Sequence, residues 1–276
     1  MHLVSETYPS NEKILILADF SDRNWDAIQF AMNYLYKANS EICIVQTWQR
    51  PNFGSSMVRD LSPYLQENTE NELEGLKRKL LSHYSLSADQ IHLLPFEGDL
   101  NTFFKSKLYT NENWQVVMAL NEDGYRVSEN PKIVEVIDKV GHPLYILSGL
   151  QGTKFIADGF VLSNTYIPSQ SILKALGNIT AQNKILFQVC VNSLKQSQQT
   201  IEKSKRIYED NCRNARLLFL ELGTSTGQQE FNDFAKEKGT RVMIFDQNRY
   251  RKFSSGLKSY LDTWLVRSKG IIIGNY

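Results

Sequence analysis

The feature that most constrains the fold is the alternation of short apolar runs with longer amphipathic segments. Apolar runs lie at 13–19 (KILILAD), 42–48, 91–96, 115–120 and 143–147. Nearly continuous apolar runs of this length are typical of strands buried on both faces of a parallel sheet. Segments with helical periodicity separate the runs, so we predict an α/β unit with helices on both faces of the sheet.

The first of these helices shows the clearest pattern. Ala27, Ile28, Ala31, Met32 and Leu35 recur at helical spacing, so one stripe of this helix is predicted to pack against the sheet. Further helices are predicted around the leucines of 65–80, at 100–108 and at 131–140.

The same order of elements begins again after residue 153. Strands are predicted at 160–163, 185–191, 217–222, 241–245 and 271–274, with helices at 169–176, 194–210, 228–238 and 257–266. We therefore predict two tandem domains, 1–149 and 150–276, joined at SGLQGT (148–153). Few residues match between the two halves, so the repeat rests on the order and size of the elements.

The charge balance and the apolar runs exclude several classes of protein. The 31 Lys and Arg residues are matched by 30 Asp and Glu residues, which argues against a nucleic-acid-binding surface. No apolar run approaches the roughly 20 residues that cross a bilayer, and no signal peptide pattern opens the chain. We expect a soluble, cytoplasmic protein that binds neither nucleic acid nor a membrane.

The sequence carries no recognisable catalytic or metal-binding motif. Cys43, Cys190 and Cys212 form no Cys-x-x-Cys pair, and the four histidines lack metal-ligand spacing. Cys43 and Cys190 are predicted to be buried, whereas Cys212 is expected to meet solvent. His142 is expected to be structural. Because the common hydrolase and NTPase motifs are also absent, no catalytic residue and no metal site are predicted, and we expect a protein that is not an enzyme.

Two stretches of the first half resemble the universal stress protein family. ILILADFSDRNWDAIQFAMNYLYKANSEICIVQTW resembles its first strand, first helix and second strand, in which a Thr-Asp-Phe-Ser type motif precedes an Ala-rich helix. WQVVMALNEDGYRVSENPKIVEVIDKVGHPLYIL resembles its fourth strand, glycine loop, last helix and fifth strand. The resemblance covers 13–147 by motif and 153–276 by pattern only. It implies a doubly wound, five-stranded parallel sheet of order 3-2-1-4-5 in each of two tandem domains.

In that strand order the last strand of each half, 143–147 or 271–274, lies at a sheet edge. Edge strands carry unpaired backbone donors and acceptors. We therefore predict that each half keeps its own sheet and that the two pack as a pseudo-symmetric pair through these strands. A single continuous sheet is not part of this expectation.

The family resemblance also implies where a nucleotide would bind. Binding members hold ATP phosphates with a Gly-x-x-Gly loop after the fourth strand and a later Gly-Ser or Gly-Thr pair. The corresponding loop here, ALNEDGYRVSENPKI, keeps only Gly124, and Pro131, which has no N–H, falls near the second pair. Acidic residues in this loop would repel a triphosphate. We expect no cofactor, with ATP as a disfavoured ligand.

Asp19 lies where binding members contact the adenine end of the nucleotide. It is either a surviving base contact or a solvated carboxylate at the end of a strand.

The second half offers a different candidate loop, FDQNRYRKFSSGLKSYL. Its basic residues and the serines that open the next helix could together hold an anion. These candidate ligands are Arg249, Arg251, Lys252, Ser254 and Ser255. The alternative is a solvated basic loop.

Two functional hypotheses follow from the loops and the resemblance. The first is a non-catalytic tandem universal stress protein, a stress-response regulatory or interaction module that binds an unknown protein partner or forms a homodimer. The alternative is a nucleotide- or anion-binding member with slow ATP hydrolysis. The loss of phosphate-binding backbone donors favours the first hypothesis.

Overall fold

The computed structural model describes part of the chain. The described residues are 13–19, 23–50, 60–110, 114–120, 140, 142–148, 158–163, 170–181, 185–191, 198–212, 215–221, 241–246 and 270–275. The strands are β1 Lys13–Ala18, β2 Glu41–Trp48, β3 Ile91–Glu97, β4 Trp114–Leu120, β5 Leu144–Ser148, β6 Asp158–Ser163, β7 Ile185–Val191, β8 Ala215–Glu221, β9 Arg241–Asp246 and β10 Gly270–Asn275. The helices are α1 Asn24–Phe30 with a π-helical turn Ala31–Leu35, α2 Ser62–His83, α3 Leu100–Lys105, α4 Lys107–Thr110, α5 Gln170–Thr180 and α6 Gln198–Asn211; a 3₁₀ turn, Ala88–Gln90, precedes β3.

Strands β1 to β5 form an all-parallel sheet in the order β3-β2-β1-β4-β5. The predicted α/β fold class and the strand order 3-2-1-4-5 are therefore confirmed for the first half. Each of the five strands lies within one or two residues of its predicted position. Local apolar patterning was sufficient for β1 and β2, which are buried along most of their length, and β3 was placed by its apolar residues although only Ile91 in it is buried.

The last strands of the two halves pair with each other. β10 lies antiparallel to β5, with Ile271 opposite Leu147 and Gly274 opposite Leu144. On the far side of β10 the order continues β9-β6-β7-β8, all parallel. The predicted pairing of the last strands is confirmed, but the expectation of two separate sheets is wrong. Strands that exchange backbone hydrogen bonds belong to one sheet, so ten strands form a single sheet.

The first helix packs on the sheet as the sequence pattern predicts. Ala27, Ile28 and Ala31 are completely buried, and Leu35 is 1% exposed. Its last turn departs from α-helical geometry, because the N–H of Tyr36 bonds to the carbonyl of Ala31, five residues back, at 2.8 Å. The apolar spacing gave no sign of this π turn.

One predicted helix differs from the structure, and three others cannot be compared. The single helix predicted at 100–108 is divided into α3 and α4 because Ser106 adopts an extended conformation. The predicted helices at 228–238 and 257–266, and nearly all of 131–140, lie outside the described residues. Of the helices that the structure does describe, none is long and apolar enough to span a bilayer.

The cysteine predictions have a mixed outcome. Cys43 is buried as predicted, and burial raises the pKa of its thiol to about 12. The expectation that Cys212 meets solvent is wrong, since it is 1% exposed. It follows the last turn of α6, where its N–H bonds to the carbonyl of buried Tyr208, and burial raises the pKa of this thiol to about 12 as well. The side chain of Cys190 lies outside the description.

Candidate functional site

The candidate site is the edge of the first-half sheet at which β1 and β4 end. The chain runs from β1 towards β3 on one side and from β4 to β5 on the other, so the strand order reverses between β1 and β4. Open α/β sheets bind ligands at the carboxyl ends of strands at such a point. Leu17 lies opposite Met118, which brings Asp19 and the end of β4 to the same edge.

Asp19 is held at this edge through its backbone. The side-chain Oδ1 of Asn24 accepts a hydrogen bond from the N–H of Asp19 at 2.9 Å, and Asn24 Nδ2 donates to the carbonyl of the same residue. Asn24 is the first residue of α1 and is 7% exposed, whereas Asp19 is exposed. A buried amide therefore fixes the backbone of Asp19 and leaves its carboxylate at the solvent-facing edge of the sheet.

Asn24 was not among the predicted site residues. The available signal was an Asn at the start of a helix, where short polar side chains commonly bond to nearby backbone groups. That Asn24 reaches back five residues to the strand end depends on the path of the β1–α1 connection. Neighbouring Arg23 forms an ion pair with Asp26 at 2.9 Å, so its charge is matched within the first turn of the helix.

The ends of β2 and β3 are fixed by close backbone contacts. The N–H of Gly98 bonds to the carbonyl of Trp48 at 2.8 Å. Gly98 has φ 138°, and a Cβ at this position would lie 3.0 Å from the Phe96 ring. Glycine is needed here because other residues rarely adopt this backbone conformation. Beside it, Glu97 forms an exposed ion pair with Arg50 at 2.6 Å.

Asp99 has a structural role at the start of α3. Its Oδ1 accepts hydrogen bonds from the backbone N–H of Thr102 at 2.7 Å and from its hydroxyl at 2.6 Å. These bonds hold the pKa of Asp99 below its usual value. A carboxylate with a lowered pKa stays ionised and serves as a helix cap, which makes it unsuitable as a general acid.

His142 packs against an aromatic ring. Its ring centroid lies 5.0 Å from that of Tyr109 in an edge-to-face arrangement. Partial burial lowers the pKa of His142, which favours the neutral ring. The geometry agrees with the predicted structural role. Within the described ranges, no three His, Cys, Asp or Glu side chains group closely enough to hold a metal ion.

Only one of the predicted site residues falls within the described part of the chain. Asp19 lies at the β1–β4 edge, as the resemblance implies. Gly124 and its loop lie outside the described residues, as do the candidate ligands of the second half: Arg249, Arg251, Lys252, Ser254 and Ser255. The described strands before these loops, β4 and β9, end at Leu120 and Asp246.

Comparisons with known proteins identify the fold through solved structures. No protein-family model matches the chain, and neither does any curated protein. A universal stress protein from Archaeoglobus fulgidus DSM 4304 is similar in structure with a TM-score of 0.59 and 14% sequence identity, over 95% of each chain. A putative universal stress protein from Pseudomonas aeruginosa UCBPP-PA14 has a TM-score of 0.49 and 10% identity, over 96% of this chain and 92% of the other.

At these identities the likeness concerns the fold alone. The strand order of the first half, the ADFS segment at the end of β1 and the structural similarity to the Archaeoglobus protein agree with one another. The chain therefore has a universal-stress-protein-like fold.

Proposed function

We propose that this chain is a non-catalytic tandem universal stress protein that acts as a stress-response regulatory or interaction module. The observation that carries the proposal is the sequence that follows β4. It has a single glycine, Gly124, and places Pro131 near the position where the family uses a backbone N–H for phosphate. A triphosphate needs several converging backbone donors at such a site.

The tandem organisation is supported by two observations. The strand order β8-β7-β6-β9-β10 repeats the order of the first half. The structural similarity to the Archaeoglobus protein also extends over 95% of the chain. On this view 150–276 is a divergent second domain.

The joint between the two halves limits how a homodimer could form. β5 is paired with β4 on one side and with β10 on the other. Its backbone groups are therefore used within the chain. A homodimer of the proposed module would therefore have to form through a surface other than the backbone of β5.

The position of Asp19 favours a second candidate function. Its backbone is clamped by a buried Asn24 while its carboxylate stays exposed at the switch point of the sheet. This arrangement suits a contact to the base of a nucleotide. The second candidate is a nucleotide- or anion-binding protein with slow ATP hydrolysis, which uses Asp19 or the basic loop at 249–255.

Calorimetry with ATP and Mg²⁺ separates the two candidates, together with mass analysis of the purified protein for a retained nucleotide. The non-catalytic proposal predicts no retained nucleotide. It also predicts no heat of binding up to about 100 μM ATP, which is 100 times a Kd of 1 μM. Micromolar binding that Gly124→Ala or Asp19→Ala abolishes would reject it and establish the first-half site.

The same titration tests the basic loop of the second half. Arg249→Ala with Arg251→Ala removes two charges there, and Lys203→Ala with Arg206→Ala removes two exposed charges from α6 as a matched control. Binding that is weakened only by the loop variant, and more strongly at low salt, would place an anion site in this loop. Equal affinities in both double variants would exclude it.

A further inference from the structure

We infer that the buried carboxamide of Gln115 locks helix α5 onto the first half of the sheet, so that 1–149 and 150–276 open together and not independently. The lock consists of Gln115 on β4, Tyr145 on β5 and Asn178 on α5. Two of these residues belong to the first half and the third belongs to the second half.

The two donors of the lock converge on one oxygen. Gln115 Oε1 accepts a hydrogen bond from the hydroxyl of Tyr145 at 3.0 Å and another from Nδ2 of Asn178 at 3.2 Å. A carbonyl oxygen has two lone pairs, so both donors can be accommodated. Gln115 is 4% exposed and Tyr145 is 1% exposed, which places the contact away from bulk water.

Apolar packing surrounds the lock on the side of the first half. The ring of Phe30 lies 5.5 Å from that of Tyr145 and 5.0 Å from that of Tyr34, which belongs to the π turn. On the other side, α5 buries Leu176 and Ile179 completely. In such surroundings an unpaired hydroxyl or amide loses its solvation without compensation, so the state in which all three groups are paired is strongly preferred.

The side-chain hydrogen bonds of the lock add a directional contact between α5 and the first half. The β5–β10 ladder, four residue pairs long, fixes the register of two strands and does not include α5. Apolar contacts are non-directional and allow a helix to slide. Two bonds at 3.0 and 3.2 Å restrict that movement because hydrogen bonds weaken steeply with poor distance and angle.

Gln46 provides a matched control within the same sheet. It is 1% exposed, and its Nε2 donates to Oε2 of Glu72 at 3.1 Å. The register places Gln46 opposite Ala18 and Gln115 opposite Ile14, so both glutamines lie on the same face of the sheet. Glu72 belongs to α2, so Gln46→Met removes a buried carboxamide without altering the joint.

The test is hydrogen exchange measured by mass spectrometry on the full chain. In Gln115→Met, exchange within 170–180 and 270–275 should rise about tenfold over wild type, because the lock would no longer oppose local opening. Exchange within 62–83 should stay unchanged. In Gln46→Met, exchange should rise within 62–83 and stay unchanged within 170–180 and 270–275. Equal exchange in α5 for the two variants would overturn the inference.

A second variant keeps the inference testable if Gln115→Met does not fold. Asn178 is only partly buried, so Asn178→Ala is expected to be tolerated. It should reproduce most of the increase in exchange at 170–180 and 270–275. In the Gln115→Met background it should add less than twofold, because its acceptor is already gone. A full additional increase, or no increase in Asn178→Ala alone, would contradict the lock.

Discussion

Replacing Asn24 by Ala tests whether the side-chain clamp orders the end of β1. The clamp consists of two hydrogen bonds between the Asn24 side chain and the backbone of Asp19. Ala at this position retains the helix and removes both bonds. We expect the free energy of unfolding to fall by about 1–2 kcal/mol.

The magnitude follows from the two bonds and two opposing effects. Each intramolecular hydrogen bond contributes a net of about 0.5–1.5 kcal/mol, so the pair contributes about 1–3 kcal/mol. Ala has a higher helix propensity than Asn by roughly 0.5 kcal/mol, which offsets part of the loss. Because Asp19 is exposed, water can replace some of its lost bonding. Both effects favour the lower part of the range.

Equilibrium urea unfolding followed by circular dichroism measures this change, with Asn33→Ala as the matched control. Asn33 is exposed in the π turn, so the control should change the free energy of unfolding by less than about 0.5 kcal/mol. If Asn24→Ala and Asn33→Ala have the same stability within 0.5 kcal/mol, the reasoning about the clamp is refuted.

Three further predictions concern titratable groups. Burial raises the thiol pKa values of Cys43 and Cys212 from 9.0 to about 12, so their native thiolate fractions should be about a thousandfold lower than in the unfolded chain. The burial of the Cys212 thiol would be contradicted if a disulfide reagent labelled the native protein rapidly at pH 8 and Cys212→Ser abolished that labelling. Asp99→Ala should cost about 1 kcal/mol at pH 7 through loss of the α3 cap. The native pKa of Asp99 lies below 3.8, so the difference from wild type in urea unfolding should shrink as the pH falls through 3.8 and below. Burial lowers the pKa of His142 from 6.5, so the unfolded chain binds the extra proton and stability should decrease as the pH falls through 6.5. His142→Gln should show a smaller decrease between pH 7.5 and 5.5, and an identical pH dependence would disprove the assignment.

The elements that sequence predicted best are those whose environment is uniform along their length. β1 and β2 are buried at most positions, so their apolar pattern does not depend on where neighbouring elements pack. Ala27, Ile28 and Ala31 are buried because helical spacing alone places them on one stripe.

The position of Asp19 could be predicted because it depends on one residue, whereas its role in binding a ligand stays a prediction. Asp19 follows the last residue of β1, and the end of a parallel strand is a sheet edge whatever the rest of the chain does. The role of Asn24 was missed because it depends on the path of the chain between β1 and α1. The burial of Cys212 was missed for a related reason. A helix with many charged residues can still bury one face, and the packing of α6 decides whether Cys212 at its end lies on that face.

The order of the described strands and helices along the chain and the buried stripe of α1 follow from residue type and local spacing, and both were predicted from the sequence. Two features depended on the three-dimensional packing: β5 and β10 pair antiparallel, which makes ten strands one sheet, and Gln115 bonds to Tyr145 and Asn178. The physical reason is that backbone edges and buried amides can bond to any suitable partner. Which partner they meet is set by the packing of distant parts of the chain.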